Sequence, residues 1–131
     1  MCVSLLPPPI LVADEGSLAR LGRSLAPYPV VAVDTESNSL HAYRECVCLI
    51  QFSTPAADYI VDPIRLPDLN PLAPFFANPS QQKVFHAAEY DIICLKRAFQ
   101  FEVRNVFDTM SAARTLGWPQ FGLANILATR F

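Results

Sequence analysis

Apolar residues change their spacing along the chain, and each change marks an element. In ADEGSLARLGRSLA, Leu18, Leu21 and Leu25 stand three and four apart. This predicts a helix opened by Asp14 and Glu15 and ended by Pro27 and Pro29. Val30 to Asp34 is an unbroken apolar run, the mark of a strand covered on both faces. Tyr43 to Ser53 predicts a longer strand with Cys46, Cys48, Ile50 and Phe52 on one face. Asp58 to Asp62 follows as a third strand, and the short TPAA before it suits a hairpin. A proline-rich connection holds a short helix near Leu69 to Ala77. Lys83 to His86 is a strand that feeds a helix from Ala88 to Phe99, and Asn105 to Phe107 adds a short strand. Asp108 is placed to cap TMSAARTL, with Gly117 as the stop and Pro119 beyond. Leu123 to Thr129 is a last helical piece.

Three meandering strands followed by a helix-connected strand define an α/β fold. It is a mixed sheet, three antiparallel strands plus a parallel one, flanked by helices. The 131 residues predict a single domain, and ILATRF stops in mid-pattern, as expected of a domain truncated at its C-terminal side. With 52% hydrophobic residues the chain can bury a core. A net charge of -2 provides no basic field for non-specific binding to a polyanion, though a nuclease whose positive charge comes from metal ions stays open. Cys2, Cys46, Cys48 and Cys94 form no CxxC pair and predict reduced, buried thiols in a cytoplasmic protein. Cys46 and Cys48 lack a second Cys/His pair to complete a metal site. MCVSLLPPPILV is broken by prolines and too short to span a bilayer, so no membrane partner is implied.

The run VVAVDTES ends in two carboxylates. Asp34 and Glu36 leave the strand on the same side, their Cα atoms about 7 Å apart. Such a pair is held by a raised pKa, an arginine or a divalent cation, or it has simply reached water at a strand end. In HAAEYDIICLKRAF, Asp91 shares the apolar stripe of Cys94, Leu95 and Ala98 near the start of its helix. A buried lone charge there costs several kcal/mol, so it requires a partner. It is either a satisfied core aspartate or, with Asp34 and Glu36, part of one cation-holding pocket. His86, at a strand end, either orients substrate or bonds backbone. A phosphotransferase built on the acid pair would need a suitably placed lysine, and neither Lys83 nor Lys96 has that setting.

In order and spacing, VDTES, LIQFS, DYIVDP, HAAEYD and VFDTMSAARTLG resemble the ribonuclease D family of 3′–5′ exonucleases, in the DEDD superfamily with a ribonuclease H-like fold. The resemblance runs from Val30 to Gly117. It implies that Asp34, Glu36 and Asp91 are catalytic acids holding two divalent cations, Mg²⁺ or Mn²⁺. The implied substrate is a single-stranded nucleic-acid 3′ end, RNA favoured over DNA, cut to nucleoside 5′-monophosphates. Asp108 matches the family's FDT aspartate, and a helix cap explains it better than a metal ligand. The family's fourth acid and the tyrosine four residues before it have no YxxxD counterpart after Asp91, so this chain alone is expected to be inactive or nearly so. The alternative is a non-catalytic or split nuclease-fold module that binds nucleic acid or protein, or self-associates through a bare apolar surface.

Overall fold

The computed structural model describes residues 7–38 and 46–131. It contains six strands: β1 (Ile10–Val12), β2 (Val30–Ser37), β3 (Val47–Ser53), β4 (Asp58–Val61), β5 (Gln82–Phe85) and β6 (Val106–Asp108). Five α-helices accompany them: α1 (Glu15–Leu25), α2 (Ala73–Ala77), α3 (Ala88–Phe99), α4 (Thr109–Thr115) and α5 (Leu123–Arg130). The strands form one sheet in the order β1-β4-β3-β2-β5-β6. β2, β3 and β4 are the expected antiparallel meander, and β5 runs parallel to β2. β1 and β6 extend the sheet in parallel at its two edges.

The local signals act where the side chains required them. Asp14 caps α1: its carboxylate accepts from the Ser17 N–H at 2.9 Å, and the Ser17 hydroxyl accepts from the Asp14 N–H at 3.2 Å. Leu18, Leu21 and Leu25 are buried beneath it. Gly117, at φ +70°, sits just beyond α4, in a conformation that costs glycine nothing. Tyr43 to Glu45, assigned to the second strand from sequence, lie outside the described residues.

Two expectations about faces are corrected. β2 is covered on one side only: Val31 and Val33 are buried, whereas Val30 and Ala32 are exposed and share a face with Asp34 and Glu36. Small apolar residues fit either environment, so the run did not require two covered faces. On β3 the register shifts where Cys48 is the extra residue between Leu49, opposite Glu36, and Val47, opposite Ser37. The bulge turns Val47 into the core with Ile50 and Phe52, leaves Cys48 half-buried and puts Cys46 in the open. Buried thiols were therefore a correct expectation for Cys94 but not for Cys46.

One buried group was not expected. Lys83 is fully buried on the core face of β5, and its Nζ donates to the carbonyls of Asn78 at 2.6 Å and Gln81 at 2.7 Å. It also lies 5.4 Å from the centre of the Phe75 ring. Burial lowers its pKa from 10.5 to about 8. The folded chain thus releases this proton before the unfolded chain does. Its cost to stability is complete below pH 8 and is relieved as pH rises from there toward 10.5. A neutral amine still has two N–H groups for the two carbonyls. Urea unfolding should show stability rising by about 1–2 kcal/mol between roughly pH 8 and pH 10. Lys83→Met should flatten that rise; an unchanged slope in the variant would assign it to other groups.

Candidate active site

β2 parts from β5 where its acids begin. Their pairing ends at Ala32 opposite Val84, and two residues later Asp34 leaves on the open face of the sheet. Thr35 leaves on the core face and meets α3: its hydroxyl donates to Asp91 Oδ1 at 2.6 Å, and its N–H donates to the same oxygen at 3.1 Å. Asp91 is 7% exposed, flanked on its helix by buried Ala88, Cys94 and Leu95. Ala98, the expected fourth member of that stripe, is exposed.

Opposing effects act on the Asp91 carboxyl. Burial raises its pKa above 3.8, the Thr35 hydroxyl lowers it, the Asp34 charge raises it and the Thr35 N–H lowers it, leaving it above the ordinary value. The Asp34 effect means that the strand acid stands close enough for its charge to act on the helix acid. The donors suit a hard divalent cation, being carboxylate oxygens. Among the described residues, however, no three His, Cys, Asp or Glu side chains are grouped closely enough to hold a metal ion. Glu36 shares the open face with Asp34.

An open groove of about 570 Å³ runs beside Asp34 along the uncovered face of the sheet, lined in part by Ala32, Gln51, Ile60, Val84 and His86. His86 Nδ1 lies 2.8 Å from the Thr109 hydroxyl, which itself donates to the Phe85 carbonyl at 3.1 Å. With its one proton used there, the hydroxyl accepts from Nδ1–H. Nε2 is left as the ring's second polar atom.

The start of α3 depends on Asp108. Ala87, before the first helical turn, is left-handed at φ 62° and has no side-chain cap. Such a conformation costs a non-glycine residue about 1–2 kcal/mol. Its N–H donates to Asp108 Oδ1 at 2.9 Å and that of Ala88 to Oδ2 at 3.2 Å, while the same carboxylate caps α4 through Met110 N–H at 2.9 Å. Asp108 is the helix cap expected from sequence, and it serves two helices. Sequence reasoning missed Thr35, hidden between two acids that both face the other way. It also missed Tyr90, an exposed ring whose hydroxyl lies 3.3 Å from that of Ser37.

The chain belongs to the 3′–5′ exonuclease family, whose model matches residues 9–131. It is 43% identical over 121 residues to protein RRP6-like 3 of Arabidopsis thaliana, a match covering 92% of this chain and 14% of that protein. Its fold is similar to the catalytic core of RRP6 from Trypanosoma brucei, with a TM-score of 0.89 and 31% identity over 99% of this chain and 36% of that one. It is also similar to Escherichia coli RNase D, an exoribonuclease involved in structured RNA processing. That match has a TM-score of 0.85 and 25% identity, over 92% of this chain and 32% of that one. The ribonuclease D resemblance and the α/β mixed sheet are thus both borne out. Exonucleases of this family depend on divalent metal. No helix among the described residues is long and apolar enough to cross a membrane.

Proposed function

We propose that this chain forms part of the catalytic domain of a 3′–5′ exoribonuclease that releases nucleoside 5′-monophosphates from single-stranded RNA 3′ ends. The observation that carries the reading is the contact between Thr35 and Asp91, which brings the start of α3 to the acidic end of β2 and sets Asp91 within reach of the Asp34 charge. Asp34, Glu36 and Asp91 would hold two divalent cations, Mg²⁺ or Mn²⁺. Bound cations supply positive charge for the scissile phosphate and lower the pKa of a water. Asp34 and Glu36 present their carboxylates on the open face, and Asp91 keeps its second oxygen for the site. His86 keeps its ring fixed through Thr109 and offers Nε2 to substrate in the groove. RNA is favoured because the similar bacterial enzyme is an exoribonuclease. A cytoplasmic location fits the buried thiol of Cys94.

Calorimetric titration of the chain with Mn²⁺, paired with a 5′-labelled oligoribonucleotide, tests this. Asp34→Asn should weaken Mn²⁺ binding by about 10–100-fold or more, since losing a direct carboxylate ligand costs no less than losing a group that orients one. Hydrolysis by the wild-type chain should be faint, and metal-dependent where detected. Undiminished binding in the variant would remove Asp34 from the site and the reading with it.

A second reading is a non-catalytic nuclease-fold module, favoured by the lack of a three-ligand group among the described residues. Leu11 and Phe107, both exposed, lie on the open sheet face with Ile60 and Val84, an apolar surface suited to self-association. Mn²⁺ binding no tighter in the wild type than in Asp34→Asn, with a dimer in light scattering, would select this reading.

A further inference from the structure

Thr35 occupies an unusual place. It lies between Asp34 and Glu36, yet strand alternation sends its side chain to the opposite face, where it touches neither. Its two donors both reach one oxygen of Asp91, the hydroxyl at 2.6 Å and the N–H at 3.1 Å. The N–H lies past the last β2–β5 pair, so the carboxylate stands where the next strand contact would otherwise fall. The hydroxyl distance is in the range of a charge-assisted bond. Two bonds on one oxygen fix the rotation of the carboxylate, and a buried Asp91 has few other ways to be held.

We infer that Thr35 is a positioning residue that locks Oδ1 of Asp91 so that Oδ2 is turned toward the cation site. This rests on the reading that Asp91 is a metal ligand. The strand thereby contributes to the site in two ways, through the carboxylates on one face and through the hydroxyl that orients the helix acid on the other. Groups that orient a metal ligand from behind typically change metal affinity 10–100-fold when removed.

Thr35→Val and Thr35→Ser separate this role from packing. Valine keeps the volume and the N–H bond but lacks the hydroxyl; serine keeps the hydroxyl and loses a methyl. Calorimetric titration of the full 131-residue chain with Mn²⁺ is run on both, beside Asp91→Asn. Thr35→Val should bind Mn²⁺ about tenfold or more weakly, and Thr35→Ser should bind as the wild type does. Should the valine variant fail to fold, Thr35→Ala against Thr35→Ser makes the same comparison. Wild-type affinity in the variants without the hydroxyl, with binding lost in Asp91→Asn, overturns the role of Thr35 while leaving Asp91 a ligand. Asp91→Asn binding as the wild type overturns the underlying reading, and the inference falls with it.

Discussion

Phe76→Ala should lower the stability of the chain by about 3–5 kcal/mol, the usual cost of deleting a fully buried ring. Phe76 has no exposed surface. Its ring stacks on Phe101 at 4.9 Å, meets Phe75 edge-on at 5.1 Å and leans on Phe52 at 6.0 Å. Those contacts join three segments far apart in sequence: β3, α2 and the stretch that follows α3. The Phe76 carbonyl also accepts the Arg104 N–H at 3.0 Å, so the backbone at this position is tied to the same stretch. Three rigid rings around one void cannot collapse into it, which places the cost at the upper end of the range. A domain of this size holds about 5–15 kcal/mol in total, so the variant should lose a large share of its stability and unfold at a clearly lower urea concentration. Ile64→Ala is the control: Ile64 is 76% exposed and should change stability by less than about 0.5 kcal/mol. Urea unfolding followed by near-ultraviolet dichroism measures both. A loss below about 1.5 kcal/mol for Phe76→Ala would mean that the ring cluster is not what holds these segments together.

What the sequence revealed and concealed divides along the range of the forces involved. The caps were legible because a cap is a local event: Asp14, Asp108 and Gly117 act on backbone within a few residues of themselves. The helix Ala88–Phe99 was legible, since a helical apolar pattern carried along twelve residues leaves little choice. β1 was not. Three residues after three prolines carry no period, and the strand exists only because Ile10 to Val12 find the exposed edge of β4, almost fifty residues away. The bulge on β3 likewise depends on a partner strand and cannot be seen in YRECVCLIQFS alone. The buried Lys83 was hidden for a related reason: its partners are carbonyls, which every residue carries.

The site follows the same division. The acids stand out in sequence because charges at the end of an apolar run demand an explanation. That Asp91 is buried and approached by the Asp34 charge follows from helix period and strand order. Thr35 carries no such anomaly. Its importance comes from a contact across 56 positions, and only the approach of the start of α3 to the acidic end of β2 creates it. Whether the acids gather closely enough to hold a metal ion was also beyond reach, because alternation fixes which face a side chain takes and not how closely two elements approach.

Asp108→Ala should cost about 2–3 kcal/mol and should disturb metal binding without removing any proposed ligand. One cap lost costs about 0.5–2 kcal/mol, and this carboxylate serves two helices. Its oxygens accept from the N–H groups of Ala87 and Ala88 at the start of α3 and from Met110 N–H and the Ser111 hydroxyl at the start of α4. Without it the strained Ala87 loses the bond that holds it, and the first turn of α3, which carries Asp91, is free to shift. Asp108→Asn keeps one acceptor but turns an NH₂ toward a backbone donor, so it should lose about half as much. The pH dependence follows from the bonds. Burial raises the Asp108 pKa, the N–H groups of Ala87, Ala88 and Met110 and the Ser111 hydroxyl lower it, and the balance leaves it below 3.8. A lowered folded-state value means the stabilisation is present above the unfolded pKa and is lost as pH falls through the folded one. The advantage of wild type over Asp108→Asn should therefore be full at pH 7 and shrink only below roughly pH 4. Urea midpoints at pH 7, 5 and 3 measure it. A gap that stays constant to pH 3 would show that the charge of Asp108 contributes nothing, and that the two helix starts are held by packing alone.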